Sequence, residues 1–206
     1  KNMKSIKKIL YPTDFSAMSM MGYKYCLNLA RQLGARVDVL HVYKVDLGVP
    51  VADAMSYTLV EERKNNAQLK LGVFAHLTQS EDKSLLEGVE IHAHATVGLP
   101  EDEIVRFATE NESNLILMPT KGEHNLIEVL FGSVTTVIVA KAECPVLVIP
   151  EGSEFKTIKN IAYATDLTDD NINHKDASLA LAKIFHSNLH YVHVNNGVKA
   201  PEWEIQ

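Results

Sequence analysis

A short turn early in the chain carries a carboxylate among residues that favour turns and helix starts. The residues Pro12-Thr13-Asp14-Phe15-Ser16 follow an apolar run, and in an open parallel sheet ligands sit beyond the carboxyl ends of the strands. There the Asp14 carboxylate would accept a hydrogen bond from a ribose hydroxyl or an adenine amine. The alternative is that Asp14 only caps the helix that follows. We expect ligand contact, because an aspartate recurs as Asp166 in a second copy whose neighbours have changed.

A second loop, from Pro119 to Ser133, carries glycines ahead of a predicted helix. The amides near Gly132 and the Ser133 hydroxyl suit a phosphate group, because the amino end of a helix presents free N–H groups and partial positive charge. Gly122 is the other glycine of this loop. Two glycines ten residues apart are equally typical of turns, so this signal gains its weight from the combination with the Asp14 turn.

The nine histidines of the chain invite a metal hypothesis. The most suitable pair, His92 and His94, alternates onto one face of a predicted strand, but no third ligand stands at a recognisable spacing. The sequence therefore predicts no metal site. His41 and His193 recur at the same strand-end position in the two copies, which favours a structural hydrogen bond.

These residues must be positioned by strands and helices that alternate along the chain. Apolar runs bounded by turn residues predict the strands, and longer periodic segments predict the helices. The strands are predicted at Lys8–Pro12, Val37–Val42, Val89–Val97, Leu115–Met118 and Pro145–Pro150, and the helices at Ser16–Leu33, within Asp53–Gln79, at Glu101–Glu110 and near Ser133–Lys141. Such alternation implies right-handed crossovers, so the predicted fold class is α/β, a doubly wound five-stranded parallel sheet.

The end of the chain repeats its beginning. Ile6–Val42 aligns without a gap to Ile158–Val194, at a constant offset of 152, and eleven of the 37 aligned positions are identical. A period this long indicates a duplicated domain rather than a solenoid unit. We therefore predict a domain over 1–150, a linker over 151–157, and the first β-α-β unit of a second copy over 158–206.

The composition limits the class of protein. Of 206 residues, 46% are hydrophobic and 22% charged, which is typical of a globular protein with a packed core. A formal net charge of −6 offers no basic field for a phosphate backbone, so no nucleic-acid partner is expected. The two cysteines form no C-x-x-C pair, and no apolar run reaches the roughly 20 residues of a membrane span. A cytoplasmic protein without membrane contact is predicted.

Taken together, the motifs resemble those of the universal stress protein family. That family runs its first strand into a P-T-D-x-S turn, carries L-H-V on its second strand, and places a glycine loop before a C-P-V-L-V-V strand. The counterparts here are Pro12-Thr13-Asp14-Phe15-Ser16, Leu40-His41-Val42, Gly122-x9-Gly132-Ser133 and Cys144-Pro145-Val146-Leu147-Val148-Ile149. The resemblance covers the whole chain, as a tandem member whose second domain is cut short.

The resemblance implies an adenine nucleotide alpha hydrolase-like fold and a role in stress responses. In members that bind ATP, the aspartate and the second-strand valine hold the adenosine part, and the glycine loop holds the phosphates. Carried over by motif, the nucleotide-binding residues would be Pro12, Asp14, Val42, Met118, Gly122, Gly132, Ser133 and Val134. The resemblance also implies that the fifth strand, Val146–Ile149, pairs with its equivalent in the other domain or in another subunit, as a pseudo-dimer or a homodimer.

The chain departs from the family pattern at Pro119, which stands where the loop has its first glycine and which has no amide hydrogen. Lys121 is a candidate to compensate by offering a cation to phosphate. We predict a cytoplasmic, non-enzymatic protein that binds or senses ATP or AMP, with at most slow, incidental ATP hydrolysis, because no Walker A lysine-serine pair or metal-binding acid cluster is present. The alternatives are a nucleotide-independent interaction scaffold with a degenerate pocket and a flavodoxin-like redox module.

Overall fold

Five parallel strands form the central sheet of the larger of two compact units, Ile6–Phe155. The structure is a computed structural model, and it describes residues 5–44, 53–77, 83–120, 133–165 and 172–193. The strands are β1 (Lys8–Pro12), β2 (Arg36–Tyr43), β3 (Ile91–Val97), β4 (Leu115–Thr120) and β5 (Val146–Pro150). The helices are α1 (Ala17–Leu33), α2 (Asp53–Ala75), α3 (Pro100–Glu110) and α4 (Ser133–Lys141), with a short 3-10 helix at Lys83–Leu86.

The strand order is β3-β2-β1-β4-β5, and all four neighbouring pairs are parallel. This confirms the predicted α/β class with a five-stranded parallel sheet. The order differs from the 2-1-3-4-5 order of flavodoxin-like sheets, which argues against the flavodoxin-like alternative. Because the crossovers cover both faces, the central strand β1 is apolar on both sides, and its residues Ile9, Leu10 and Tyr11 are all fully buried.

The first helix begins and ends as its sequence predicts. Ser16 is the N-cap residue, and its hydroxyl accepts a hydrogen bond from the Ser19 amide at 3.1 Å. Gly34 ends the helix with φ 60°, a left-handed conformation that favours glycine, and its amide points at the Ala30 and Arg31 carbonyls. The helix therefore has fixed ends, and its start is tied to the turn that follows β1.

Other boundaries differ from the predictions. The fourth strand continues past Met118 to Thr120, so Pro119 lies in β4, paired with Ile149, and not in a loop. The sequence predicts a loop that begins at Pro119, whereas the strand continues through it. The fixed φ of proline is compatible with a strand, and the Pro119 nitrogen faces away from β5, so pairing with β5 loses no donor. The third strand begins at Ile91 rather than Val89, and α2 is described to Ala75.

One charged side chain is buried in the sheet. Asp38 of β2 is 0% exposed, and the Arg36 guanidinium lies 3.2 Å from its Oδ2. Burial raises the pKa of Asp38, but the interactions of its carboxylate with the His94 ring and the Arg36 guanidinium outweigh this effect, so the pKa lies below its ordinary value. The amino-terminal half of β2 therefore holds a negative charge inside the fold.

The smaller unit contains a β-α-β arrangement with β6 (Asn160–Ala164), α5 (Ile172–Phe185) and β7 (Asn188–Val192). Strands β6 and β7 pair in parallel, with the same register as β1 and β2. Lys8 lies opposite Arg36, and the residues 152 positions later, Asn160 and Asn188, also lie opposite each other. The helix ends also correspond, since His186 has φ 52° where Gly34 has φ 60°. A second domain over 158–206 stays a prediction.

Within the described residues, no helix is both long and apolar enough to cross a membrane.

Helix α1 approaches β4 closely at a glycine, and this contact gives a stability prediction. A Cβ atom at Gly22 would lie 2.7 Å from the Tyr11 hydroxyl and 2.9 Å from Cβ of Pro119. Tyr11 is fully buried and the proline ring is rigid, so neither side chain can move aside. We expect Gly22→Ala to lower the free energy of unfolding by about 1 to 3 kcal/mol, measured by urea denaturation.

The matched control is Gly72→Ala in α2, where no atom lies within 4 Å of the added methyl group. Alanine there should stabilise the protein by up to about 1 kcal/mol, because it favours the helix over glycine. If both substitutions change the free energy of unfolding equally, the close approach of α1 to β4 does not exclude a side chain at Gly22.

Candidate functional site

The strand order reverses between β1 and β4, and this is where an open α/β sheet places its ligand crevice. The pairing of β1 with β4 joins Ile9 to Leu115 and Leu10 to Ile116. On the other side, the pairing of β4 with β5 extends to Thr120 and Pro150. The hydrogen-bonded ladder between β1 and β4 thus ends after two paired positions, and we call the interruption between Pro12 and Pro119 the β1–β4 gap.

Pro12 and Pro119 each direct a backbone carbonyl group toward this gap. The Ile116 amide donates to Pro145, and the Glu151 amide donates to Thr120, so the even-numbered residues of β4 point at β5 and Pro119 points at β1. On β1, the Thr13 amide donates to Leu40 of β2 at 2.8 Å, so Pro12 points at β4. Neither proline has an N–H group, and each contributes a carbonyl. At these two positions the gap is lined by hydrogen-bond acceptors.

The turn that follows Pro12, Thr13–Ser16, presents Asp14 to solvent. The Ser16 amide donates to Oδ1 of Asp14 at 2.9 Å, and Ser16, not Asp14, caps α1. Phe15 takes a left-handed backbone with φ 65°, which is unusual for a bulky residue and is found at sites held in place by their surroundings. The Phe15 amide donates to the Thr13 hydroxyl at 3.0 Å, so the turn is fixed from within.

Two buried side chains support this turn from below. The hydroxyls of Thr13 and Ser19 are 2.8 Å apart, and Tyr11 donates its hydroxyl to the Ser19 carbonyl. Burial raises the pKa of Tyr11, so its hydroxyl stays protonated and remains a donor. Thr13, Ser19 and Tyr11 are not among the predicted nucleotide-binding residues. The identity of Thr13 and Tyr11 with Thr165 and Tyr163 in the second copy was the available signal.

His41, at the end of β2, holds the turn from the side. Its Nδ1 donates to the Thr13 carbonyl at 2.8 Å, and its ring stacks on Phe15 with centroids 4.1 Å apart. In the smaller unit His193 makes the same contact with the Thr165 carbonyl at 2.9 Å. The predicted structural hydrogen bond of these two histidines is therefore confirmed.

The predicted site residues fall into three groups. Val42, Met118 and Val134 share one apolar cluster on the face of the sheet covered by α3 and α4, and we call these three residues the apolar wall. Pro12 and Asp14 lie at the end of β1, and Ser133 is the exposed first residue of α4. Gly122, Gly132 and the compensating cation Lys121 lie outside the described residues.

The structure defines a doubly wound α/β domain in which the exposed Asp14 carboxylate and two proline carbonyls lie at the strand ends beside the switch point. The sequence model of the Universal stress protein family matches residues 5–150. Universal stress protein MJ0531 of Methanocaldococcus jannaschii is 34% identical over 144 residues, which cover 69% of this chain and 81% of the relative. Universal stress protein MJ0577 of the same organism is 34% identical over 153 residues, or 69% of this chain and 94% of the relative.

A solved structure of MJ0577 has the same fold. It is similar with a TM-score of 0.56 and 30% sequence identity, and the match covers 72% of this chain and 99% of that one. The chain belongs to the universal stress protein family. The match lies in the Ile6–Phe155 unit, where the complete sheet and the crevice are found.

The turn contacts give a prediction for His41. In His41→Phe the ring can still stack on Phe15, but the part-buried Thr13 carbonyl loses its donor, which should cost about 1 to 2 kcal/mol of unfolding free energy. His193→Phe is the matched control, because its partner carbonyl is exposed and water can replace the donor. Circular dichroism during urea denaturation measures both variants, and equal losses would mean that burial of the first contact is unimportant.

Proposed function

We propose that the Ile6–Phe155 unit binds an adenine nucleotide, ATP or AMP, at the β1–β4 gap, and serves as a non-enzymatic, nucleotide-responsive module of a cytoplasmic stress response. The proposal is supported by Asp14 and the two proline carbonyls at the strand ends beside the switch point, and by the apolar wall on the face covered by α3 and α4. Membership of the universal stress protein family supports the same kind of ligand and the stress-response role.

The acceptors at the gap suit the adenosine half of the ligand. An adenine amine and ribose hydroxyls are donors, and they complement a carboxylate and carbonyl groups. The apolar wall of Val42, Met118 and Val134 offers a surface for the base, since ligand pockets combine apolar lining with a few placed polar groups. A phosphate would be repelled by Asp14 and by the carbonyl groups, so it belongs elsewhere in the site.

The amino end of α4 is the candidate position for the phosphates. Ser133 begins this nine-residue helix and is exposed, and the free amides of a first helical turn favour an anion. The family motif adds Gly122 and Gly132 to this half of the site. We infer binding without catalysis, because the sequence lacks the Walker A lysine-serine pair.

Pro119 favours a second candidate function, the interaction scaffold. A glycine at this position would present an N–H group to the gap, and proline removes it without filling the gap, because its ring packs toward Gly22 of α1. If the family's ligand needs that donor, the pocket is degenerate and the fold serves only to bind partners. The two functions differ in a single measurable property, the affinity for nucleotide.

Titration of ATP and AMP by calorimetry, with the Asp14 variants, tests the carboxylate. We expect Asp14→Ala to weaken both ligands by about 10- to 100-fold, the value of a hydrogen bond to a charged group. Asp14→Asn is the matched control, because its side-chain oxygen can still accept from the Ser16 amide and keep the turn. Affinity that survives Asp14→Ala would remove this carboxylate from the site.

Two substitutions at Pro119 separate the missing donor from backbone freedom. Pro119→Ala restores the N–H group, and Pro119→Gly restores it with glycine's flexibility. We expect both to bind ATP about fivefold more tightly than the parent, which corresponds to about 1 kcal/mol for one neutral hydrogen bond. No binding by the parent together with binding by either variant would establish the scaffold function for the natural chain.

We also propose that β5, at the edge of the sheet, pairs with a second copy of the chain. Its odd-numbered residues bond to β4, so the amide of Val148 points outward.

The substitution Val148→Pro tests this pairing. Proline is tolerated on an edge strand when its nitrogen faces away from the sheet, so the fold should stay intact. We expect the variant to be a monomer in light scattering where the parent is a dimer. Val139→Thr, at an exposed position of α4, is the control that should leave the mass unchanged. A parent that is already monomeric would contradict the pairing.

A further inference from the structure

Two histidines and a buried aspartate converge on the sheet at the strand ends opposite to the nucleotide crevice. Asp38 of β2 lies directly opposite His92 of β3, and His94 follows two residues later, opposite Leu40. Side chains two residues apart in a strand point to the same face, so the three side chains meet on the face covered by α3. The His94 ring packs on Phe107 of α3, with centroids 4.8 Å apart.

The distances between the three groups are those of a coordination sphere. Oδ1 of Asp38 lies 3.6 Å from Nδ1 of His92 and 3.5 Å from Nε2 of His94. One ligand atom from each residue can be chosen so that all lie within 4.8 Å of one another. Ligands bound tetrahedrally at about 2.0 to 2.1 Å from zinc are separated by about 3.3 to 3.4 Å. The two distances from Asp38 are close to this value, and the histidine ligand atoms lie within 4.8 Å of each other.

The atoms that face one another lack other partners. Oδ1 of Asp38 and Nε2 of His94 are buried, and neither has a hydrogen-bond partner among the described residues. The Asp38 side chain is 1% exposed, and its other oxygen, Oδ2, is held by Arg36. A buried polar atom without a partner is costly, and two such atoms directed at one point are unusual in a folded protein.

A second carboxylate sets the orientation of His92. Its Nε2 lies 2.8 Å from Oε1 of Glu90, so Nε2 carries the hydrogen and donates it. In the neutral ring, Nδ1 then carries the lone pair that faces the Asp38 carboxylate, and two acceptors that face each other require a cation between them. A carboxylate that receives the remote N–H group of a histidine is the usual outer partner of a metal-bound histidine.

We propose that Asp38, His92 and His94 bind a divalent transition metal ion, best matched by zinc. Two imidazoles and one carboxylate are borderline ligands that suit zinc, and copper or nickel would bind the same donors. The histidine side chains are 42% and 36% exposed, so water can complete the coordination. The Arg36 charge opposes a cation, which favours a reversible site over a closed structural one.

Titration of the full 206-residue chain with Zn²⁺ and Co²⁺ tests the site. Binding of Co²⁺ by nitrogen and oxygen ligands is read from its visible absorption, and Zn²⁺ affinity from competition with a chromophoric chelator. We expect His92→Gln and His94→Gln each to raise the Kd more than about tenfold, and Glu90→Gln to raise it about tenfold, the loss typical of an outer partner. His76→Gln, which removes an exposed histidine in the turn directly after α2, should bind as the parent does.

Equal Kd values for His94→Gln and His76→Gln would overturn the proposal, because the ion would then be bound elsewhere. An absence of Co²⁺ bands in the parent would also overturn it. If His94→Gln does not fold by circular dichroism, His92→Gln and Glu90→Gln decide the matter, because both positions are largely exposed.

Discussion

The end of the β1–β4 ladder is the constraint on which the rest of this structure depends. A parallel ladder continues only where each strand supplies N–H groups to its neighbour. Beyond the two paired positions of β1 and β4, Pro12 and Pro119 have no N–H group to donate to the other strand. The ladder ends there, and the reversal of strand order sends the two connecting chains to opposite faces of the sheet. The β1–β4 gap therefore has carbonyl acceptors at its centre, and the Asp14 turn follows directly from one of its strands. Its chemistry is set by backbone atoms as much as by side chains.

The Asp14 turn is built to hold one conformation without a ligand. The Thr13 carbonyl accepts from His41, the Thr13 hydroxyl meets Ser19, and the strained Phe15 rests on the His41 ring. The smaller unit repeats the histidine contact, and its sequence keeps the aspartate as Asp166, whereas Ala164 and Leu167 stand in place of Pro12 and Phe15. The contact between the histidine and the threonine carbonyl thus persists without the proline and the phenylalanine.

The sequence predicted the strands, helices and caps that depend on local patterns. It did not predict the features that depend on pairing between strands. Apolar runs, the Ser16 cap and the Gly34 stop predicted the sheet and α1 because each acts within a few residues. The sequence predicts that Pro119 begins a loop. It lies in β4 instead, because its pairing with β5 does not require the N–H group that proline lacks. Asp38 was not recognised as the companion of His92 and His94, because a register between strands leaves no spacing in the sequence. The direction of the Pro119 ring likewise depends on Gly22, a residue of another element.

The facing prolines also decide how this crevice can be observed. Methods that follow backbone amides, such as proton–nitrogen correlation spectra and hydrogen exchange, have no signal from Pro12 or Pro119, because neither residue carries an exchangeable amide hydrogen. A ligand seated between them is silent at the two positions it touches most directly, and its arrival must be inferred from the amides of Thr13 and Thr120 on either side. A spectrum without changes at the centre of the gap is therefore the normal appearance of this protein, whether or not the gap is filled.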